Sequence, residues 1–164
     1  MEISFTNIVL VVGGVLTALQ AGLMYDFNVD TVPALRSING KAHITMMQAI
    51  NKKIENPGFF LSFFGSVLLL PLAAFLYRGE PQFGWLVAAA VLQIAGSFFV
   101  TVGGNIPLNK QFAKINPEQL SDSEADQHRK EFQGPGTRWM RLHTVRTLSS
   151  IAATTILFLV ALSI

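Results

Sequence analysis

His143 and Arg146 stand three residues apart in a sequence with few groups that do chemistry. With Trp139 and Ser150 they fall at i, i+4, i+7 and i+11, a single helix face. An arginine sharing a face with a histidine disfavours the imidazolium. His143 is therefore expected to be neutral and available as a base, structural duty being the simpler alternative. A second polar row, Gln93, Ser97, Thr101 and Asn105, recurs every four residues. Thr17, Gln20 and Met24 line up in a third, with Asp26 beyond, and Ile44, Gln48, Asn51 and Glu55 share a side of a fourth. Other chemistries are excluded more firmly. There is no cysteine, hence no disulfide, iron–sulfur cluster or thiol nucleophile. The three histidines, His43, His128 and His143, lack metal-ligand spacing, so no metal is expected. Phosphate loops, dinucleotide fingerprints and serine elbows are absent.

Apolar segments hold these rows in place. They run over residues 5–25, 59–77, 83–104 and 140–164, each near the roughly 20 residues a helix needs to cross a bilayer. The first three carry no charge. The fourth carries Arg141 and Arg146 in its first turns. Hydrophobic residues make up 51% of the chain and charged ones 13%, about half the charge of a soluble domain. The expected fold is all-α, a single integral membrane domain (1–164) built as a four-helix bundle. A short amphipathic helix over residues 41–55, with Ile44, Met47, Ile50 and Ile54 at helical spacing, is expected between spans 1 and 2, at the membrane surface or folded back on the bundle. Gly103-Gly104 and Pro107 are expected to end the third helix. Ser121-Asp122-Ser123-Glu124 reads as the start of a short helix over residues 125–132.

Charge sets the orientation. The loops after spans 1 and 3 and their adjoining helix ends hold every Lys and Arg except Arg78. The positive-inside rule puts that face in the cytoplasm and both termini outside, in what is expected to be a bacterial plasma membrane. Glu2 and the lack of Lys or Arg in the first seven residues suit an exported N-terminus and argue against a cleaved signal peptide. The net charge of +2 thus marks topology, and no nucleic-acid partner is expected. Each polar row lies toward the cytoplasmic end of its segment. Lipid offers such groups no partners, so they are expected to turn inward and form a polar pocket near that interface. Against this, Arg146 can equally snorkel to the headgroups, Trp139 is most simply an interface anchor, and Asp26 and Glu55 read as solvated or paired.

Several short runs together resemble one family. They are Gly104-Asn105-Ile106-Pro107-Leu108-Asn109, Met47-Gln48-Ala49-Ile50-Asn51, Trp139 with His143 and Arg146-Thr147, and Tyr25-Asp26-Phe27 followed by Val32-Pro33-Ala34-Leu35. In this order they resemble the anthrone oxygenases, small four-helix membrane proteins mostly of unknown function, and the resemblance spans nearly the whole chain. It implies oxidation of an anthrone-like aromatic by O2 to a quinone, through an enolate that passes an electron to O2 with no metal, flavin or other cofactor. On that reading His143 is the base, while Arg146, Asn105 and Asn109 are donors to the enolate oxygen. Gln48 and Asn51 close the pocket, with Gln20 among the groups that bind substrate, and Trp139 and Phe98 or Phe99 flank the rings. Many relatives are expected to carry asparagine in place of His143.

Two other classes compete with this one. A non-catalytic protein that binds a lipid or hydrophobic small molecule predicts a copurifying ligand and no turnover. A transporter is disfavoured by the lack of a mid-membrane acid and of inverted repeats. The oligomeric state and the substrate are open at this level.

Overall fold

The computed structural model describes residues 4–164, so Glu2 lies outside the described residues. The fold is all-α, with no strand among the described residues. Ser4 caps the first helix by accepting from the Asn7 N–H. This helix comprises α1 (Phe5–Asp26), a π turn (Phe27–Thr31) and α2 (Val32–Ser37) without a break. Asn39 caps α3 (Gly40–Lys53), which ends on Lys52 and Lys53, where cations suit the helix dipole. Asn56 caps α4 (Pro57–Leu76). A turn through Gly79, at φ 94°, leads to α5 (Phe83–Val91). Two π segments, Leu92–Phe99 and Thr101–Asn105, carry the third span into α6 (Ile106–Phe112). After a short 3-10 turn (Pro117–Gln119), a capping box of Ser121 and Glu124 starts α7 (Asp122–Gln133). Thr137 caps α8 (Arg138–Leu162).

Among the described residues four helices are long and apolar enough to cross a membrane, and the chain is an integral membrane four-helix bundle. Consecutive spans pack side by side, and α8 returns to α1 to close the ring. Away from the polar rows the core is apolar but for the Tyr77 hydroxyl, which donates to Asn7: Leu10, Leu70, Leu86, Ala89, Ala153, Leu157 and Val160 meet there. At the other end α2, α3, α6 and α7 form a cap over a second core of Val32, Leu35, Ile44, Met47, Phe112, Phe132 and Trp139. The amphipathic helix is α3, and it is folded into this cap. Its Gly40 lies so close to α7 that a Cβ there would collide with the Ala125 backbone.

Gly103-Gly104 and Pro107 do not end the third helix, which continues to Phe112. A proline inside an α-helix loses a hydrogen bond and clashes with the carbonyl four residues back. Here the preceding residue, Ile106, donates its N–H to Thr101, five residues back. The wide turn makes room, and Pro107 enters α6 at its first turn. The first span repeats the device: Val32 N–H bonds to the Phe27 carbonyl, and Pro33 follows. The π turns also straighten the polar row. In an α-helix, residues four apart drift by roughly 40° per step, and wider i→i+5 turns drift the other way. Gln93, Ser97, Thr101 and Asn105 are accordingly all buried.

Candidate functional site

A cavity of about 740 Å3 lies between the cap and the bundle. Both proline-linked π turns line it, through Phe27 and Thr31 on the first span and Thr101 on the third. Phe59, Phe60, Phe63 and Phe64 from α4 give one wall, and Met47, Ile50 and Ile54 from α3 another. Trp139, His143 and Arg146 from α8 supply a polar wall, and Asp26, Glu55, Lys52 and Lys110 supply the remaining charges.

Arg146 is buried, 9% exposed. Its Nε and Nη2 donate to His143 Nδ1 at 2.9 and 2.8 Å, and Nη1 donates to Thr101 Oγ1 at 3.3 Å. Its guanidinium carbon lies 5.8 Å from the centre of the Trp139 ring, within cation–π range. Among the described residues no carboxylate pairs with it. Burying a charge without a counter-charge is costly. Arg146 does not snorkel.

The same contact decides the tautomer of His143. A guanidinium has only donors, so Nδ1 must accept, and the neutral ring carries its proton on Nε2. Nε2 is buried and makes no hydrogen bond, although the Met24 carbonyl stands near the ring. The imidazole stacks on Trp139 (centroids 4.9 Å apart, planes 20°) and meets Phe27 edge-on at 5.6 Å. His143 in this state offers a proton and does not accept one.

Trp139 is not an interface anchor: it is 2% exposed. Its Nε1 donates to Asn109 Oδ1 at 2.7 Å, and Asn109 Nδ2 donates to Asn51 Oδ1 at 3.1 Å. This relay joins α8, α6 and α3 across the cavity and leaves Asn51 Nδ2 buried without a partner. Gln48 also lines the cavity, but its Nε2 serves the Phe112 and Ile115 carbonyls at the end of α6.

The model sequence of the anthrone oxygenase family matches residues 59–156, more than half of the chain. The chain belongs to that family. The match runs from α4 into α8 and so takes in Thr101, Asn105, Asn109, Trp139, His143 and Arg146. No curated protein and no solved structure matches it.

In this anthrone oxygenase family member the sequence-derived residues therefore divide. His143, Arg146, Trp139, Asn109, Asn51 and Gln48 share the cavity wall. Asn105 stays behind it, its Nδ2 donating to the Trp139 carbonyl at 3.2 Å. Gln20 lies deeper in the bundle, where Ser62 donates to its Oε1 at 3.3 Å. Phe99 is 60% exposed, and Phe98 packs on Phe63 and Phe64 outside the lining. Asp26 and Glu55, read as solvated or paired, are exposed and line the cavity. Their positions at the end of α1 and just before the α4 cap were the available signals. No three His, Asp or Glu side chains converge as metal ligands among the described residues.

Proposed function

We propose that this protein oxidises an anthrone-like aromatic to the quinone with O2, inside the cavity beneath the cap. The observation that carries the reading is the buried guanidinium of Arg146, without a carboxylate partner and facing an aromatic-walled space. An anthrone has an acidic CH2 opposite a carbonyl on its central ring. Loss of one CH2 proton moves the C–H electrons onto the carbonyl oxygen, giving a planar, delocalised oxyanion. That anion suits a cation held among aromatic rings. Arg146 acts as the donor to the oxyanion, where fixed dipoles in a dry site lower the barrier most. The enolate then gives one electron to O2, and the two radicals join at the former CH2 carbon as a peroxide. Loss of the second C–H proton and cleavage of O–O leave a carbonyl and one water, so anthrone and O2 become quinone and water.

Both the substrate and O2 partition into lipid, which suits a site at membrane depth. The basic residues gathered in and around the cap orient it toward the cytoplasm by the positive-inside rule.

The test is O2 uptake by the purified protein with an anthrone, measured against the spontaneous rate and against Arg146→Ala. Quinone formation well above the blank and lost in Arg146→Ala is expected. A folded protein that adds nothing to the blank with a panel of anthrones would overturn the reading in favour of a ligand-binding protein, for which native mass spectrometry would show the bound molecule.

A further inference from the structure

The tautomer of His143 leaves the proposed reaction without its base. Nδ1 is taken by Arg146, and Nε2 carries the proton. Lys52, Lys110 and Arg146 are cations, and Asn51, Asn109 and Gln48 have no useful basicity. The carboxylates on the cavity wall are Asp26 and Glu55. We infer that Asp26 is the base that removes the substrate's CH2 proton, an inference that rests on the oxygenase reading.

Its placement favours it over Glu55. Asp26 closes α1 immediately before the π turn, and that turn is fastened to α8 on both sides of the donor wall. Phe27 packs edge-on against His143 at 5.6 Å and tilted against Trp139 at 6.0 Å. Asn28 Nδ2 donates to Thr147 Oγ1 at 2.8 Å. Asp26 is thus held at a set distance from the donors. Its carboxylate is also oriented, because Thr31 Oγ1, across the π turn and on the same cavity wall, donates to Oδ2 at 3.2 Å. Glu55 sits in the link between α3 and α4, where no side-chain hydrogen bond among the described residues orients its carboxylate.

The chemistry needs this separation. The carbonyl oxygen and the CH2 of an anthrone lie at opposite edges of the central ring, so donors and base must face each other across the bound plane. Arg146 and His143 are buried, whereas Asp26 stands at the exposed side. Asp26 takes the first proton, the electron pair passes to the oxygen held by Arg146, and O2 adds as described. Asp26 returns that proton to the peroxide, takes the second C–H proton as the O–O bond breaks, and passes it to the departing hydroxide, which leaves as water with Asp26 ionised again.

Proton removal can be read apart from oxidation. Without O2, the wild-type protein is expected to speed exchange of an anthrone's CH2 hydrogens for deuterium, followed by NMR. Asp26→Asn should lose at least ten-fold of that exchange, and Asp26→Glu should recover part of it. Arg146→Lys should lower exchange while leaving Asp26 in place. Wild-type exchange retained in Asp26→Asn would overturn the inference and leave the oxygenase reading standing. Exchange lost instead in Glu55→Gln would move the base to the other wall. No exchange and no O2 uptake by the wild type would overturn both readings together.

Discussion

In the half of the bundle away from the cap, Leu10, Leu70, Leu86, Leu157 and Val160 meet between helices, and no π turn interrupts them. In the cap half, the first and third spans widen into π turns, and buried polar atoms of Gln20, Asn51, Asn105 and His143 go without partners. The same four helices therefore carry an apolar end that owes its packing to shape and a polar end that carries unmet hydrogen-bonding capacity. The difference teaches where this fold keeps stability and where it spends some of it. Unsatisfied buried groups cost stability, and they are retained most readily where a ligand meets them.

Replacing Arg146 by Met breaks the comparison most directly. Quinone formation should fall by about 10^2–10^3-fold, the usual loss when one oxyanion donor is removed. Thermal stability in detergent should hold or rise, because an apolar side chain of similar length replaces a buried charge without a counter-ion. A loss of stability alongside the loss of rate would show that Arg146 holds the fold together.

Leu70→Ala does the opposite. Leu70 is 1% exposed in the apolar core. Lipid is as apolar as leucine, so the loss is one of packing, about 2 kcal/mol at the low end of the usual range. A melting curve should show it, while turnover per folded molecule stays unchanged. A parallel fall in turnover would mean the two halves are coupled.

The sequence carried the spans, the α3 helix and the inward polar rows, because hydropathy and period-four spacing record what faces lipid and what does not. Register changes were harder to see. Pro107 looks like a helix end, yet it and Pro33 each follow a π turn that absorbs the ring. Proline alone does not announce such a turn, since Pro71 lies within α4 with none. Long-range partners were invisible as well. Trp139 looks like an interface residue until Asn109, thirty positions earlier, accepts its Nε1–H. The pairing of His143 with Arg146 could be read from the spacing, but the nitrogen it occupies could not, and that nitrogen changes the ring from base to donor.

The Trp139 relay sets a smaller test within the polar half. Trp139→Phe keeps a ring to stack on His143 and removes the Nε1–H, leaving Asn109 Oδ1 without its donor. A lost hydrogen bond of this kind costs about 1 kcal/mol, or roughly five-fold. The loss should appear in KM, because the relay positions Asn51 and Asn109 on the cavity wall, and kcat should change less. An effect on kcat as large as that of Arg146→Met would put Trp139 in the chemical step.

The smallest effect expected is a pH slope, and it separates the cap from the cavity. His43 is fully buried between α3 and α7 and meets Phe112 edge-on. Its Nε2 bonds Gln133 Oε1 at 2.8 Å; Gln133 Nε2 donates to Met47 Sδ, so His43 must be the donor. Burial holds His43 below its ordinary value of 6.5, the Gln133 bond opposes this, and Arg129 and Arg36 add to it. The unfolded chain therefore binds this proton more readily than the folded one. Stability from this group is complete above pH 6.5 and is lost as pH falls toward the lower folded value. Melting curves of the wild type should shift down between pH 7.5 and 5.5, and His43→Gln should flatten that slope without changing the rate at pH 7.5. A slope unaltered in His43→Gln would assign it to other groups and leave the cap indifferent to acid.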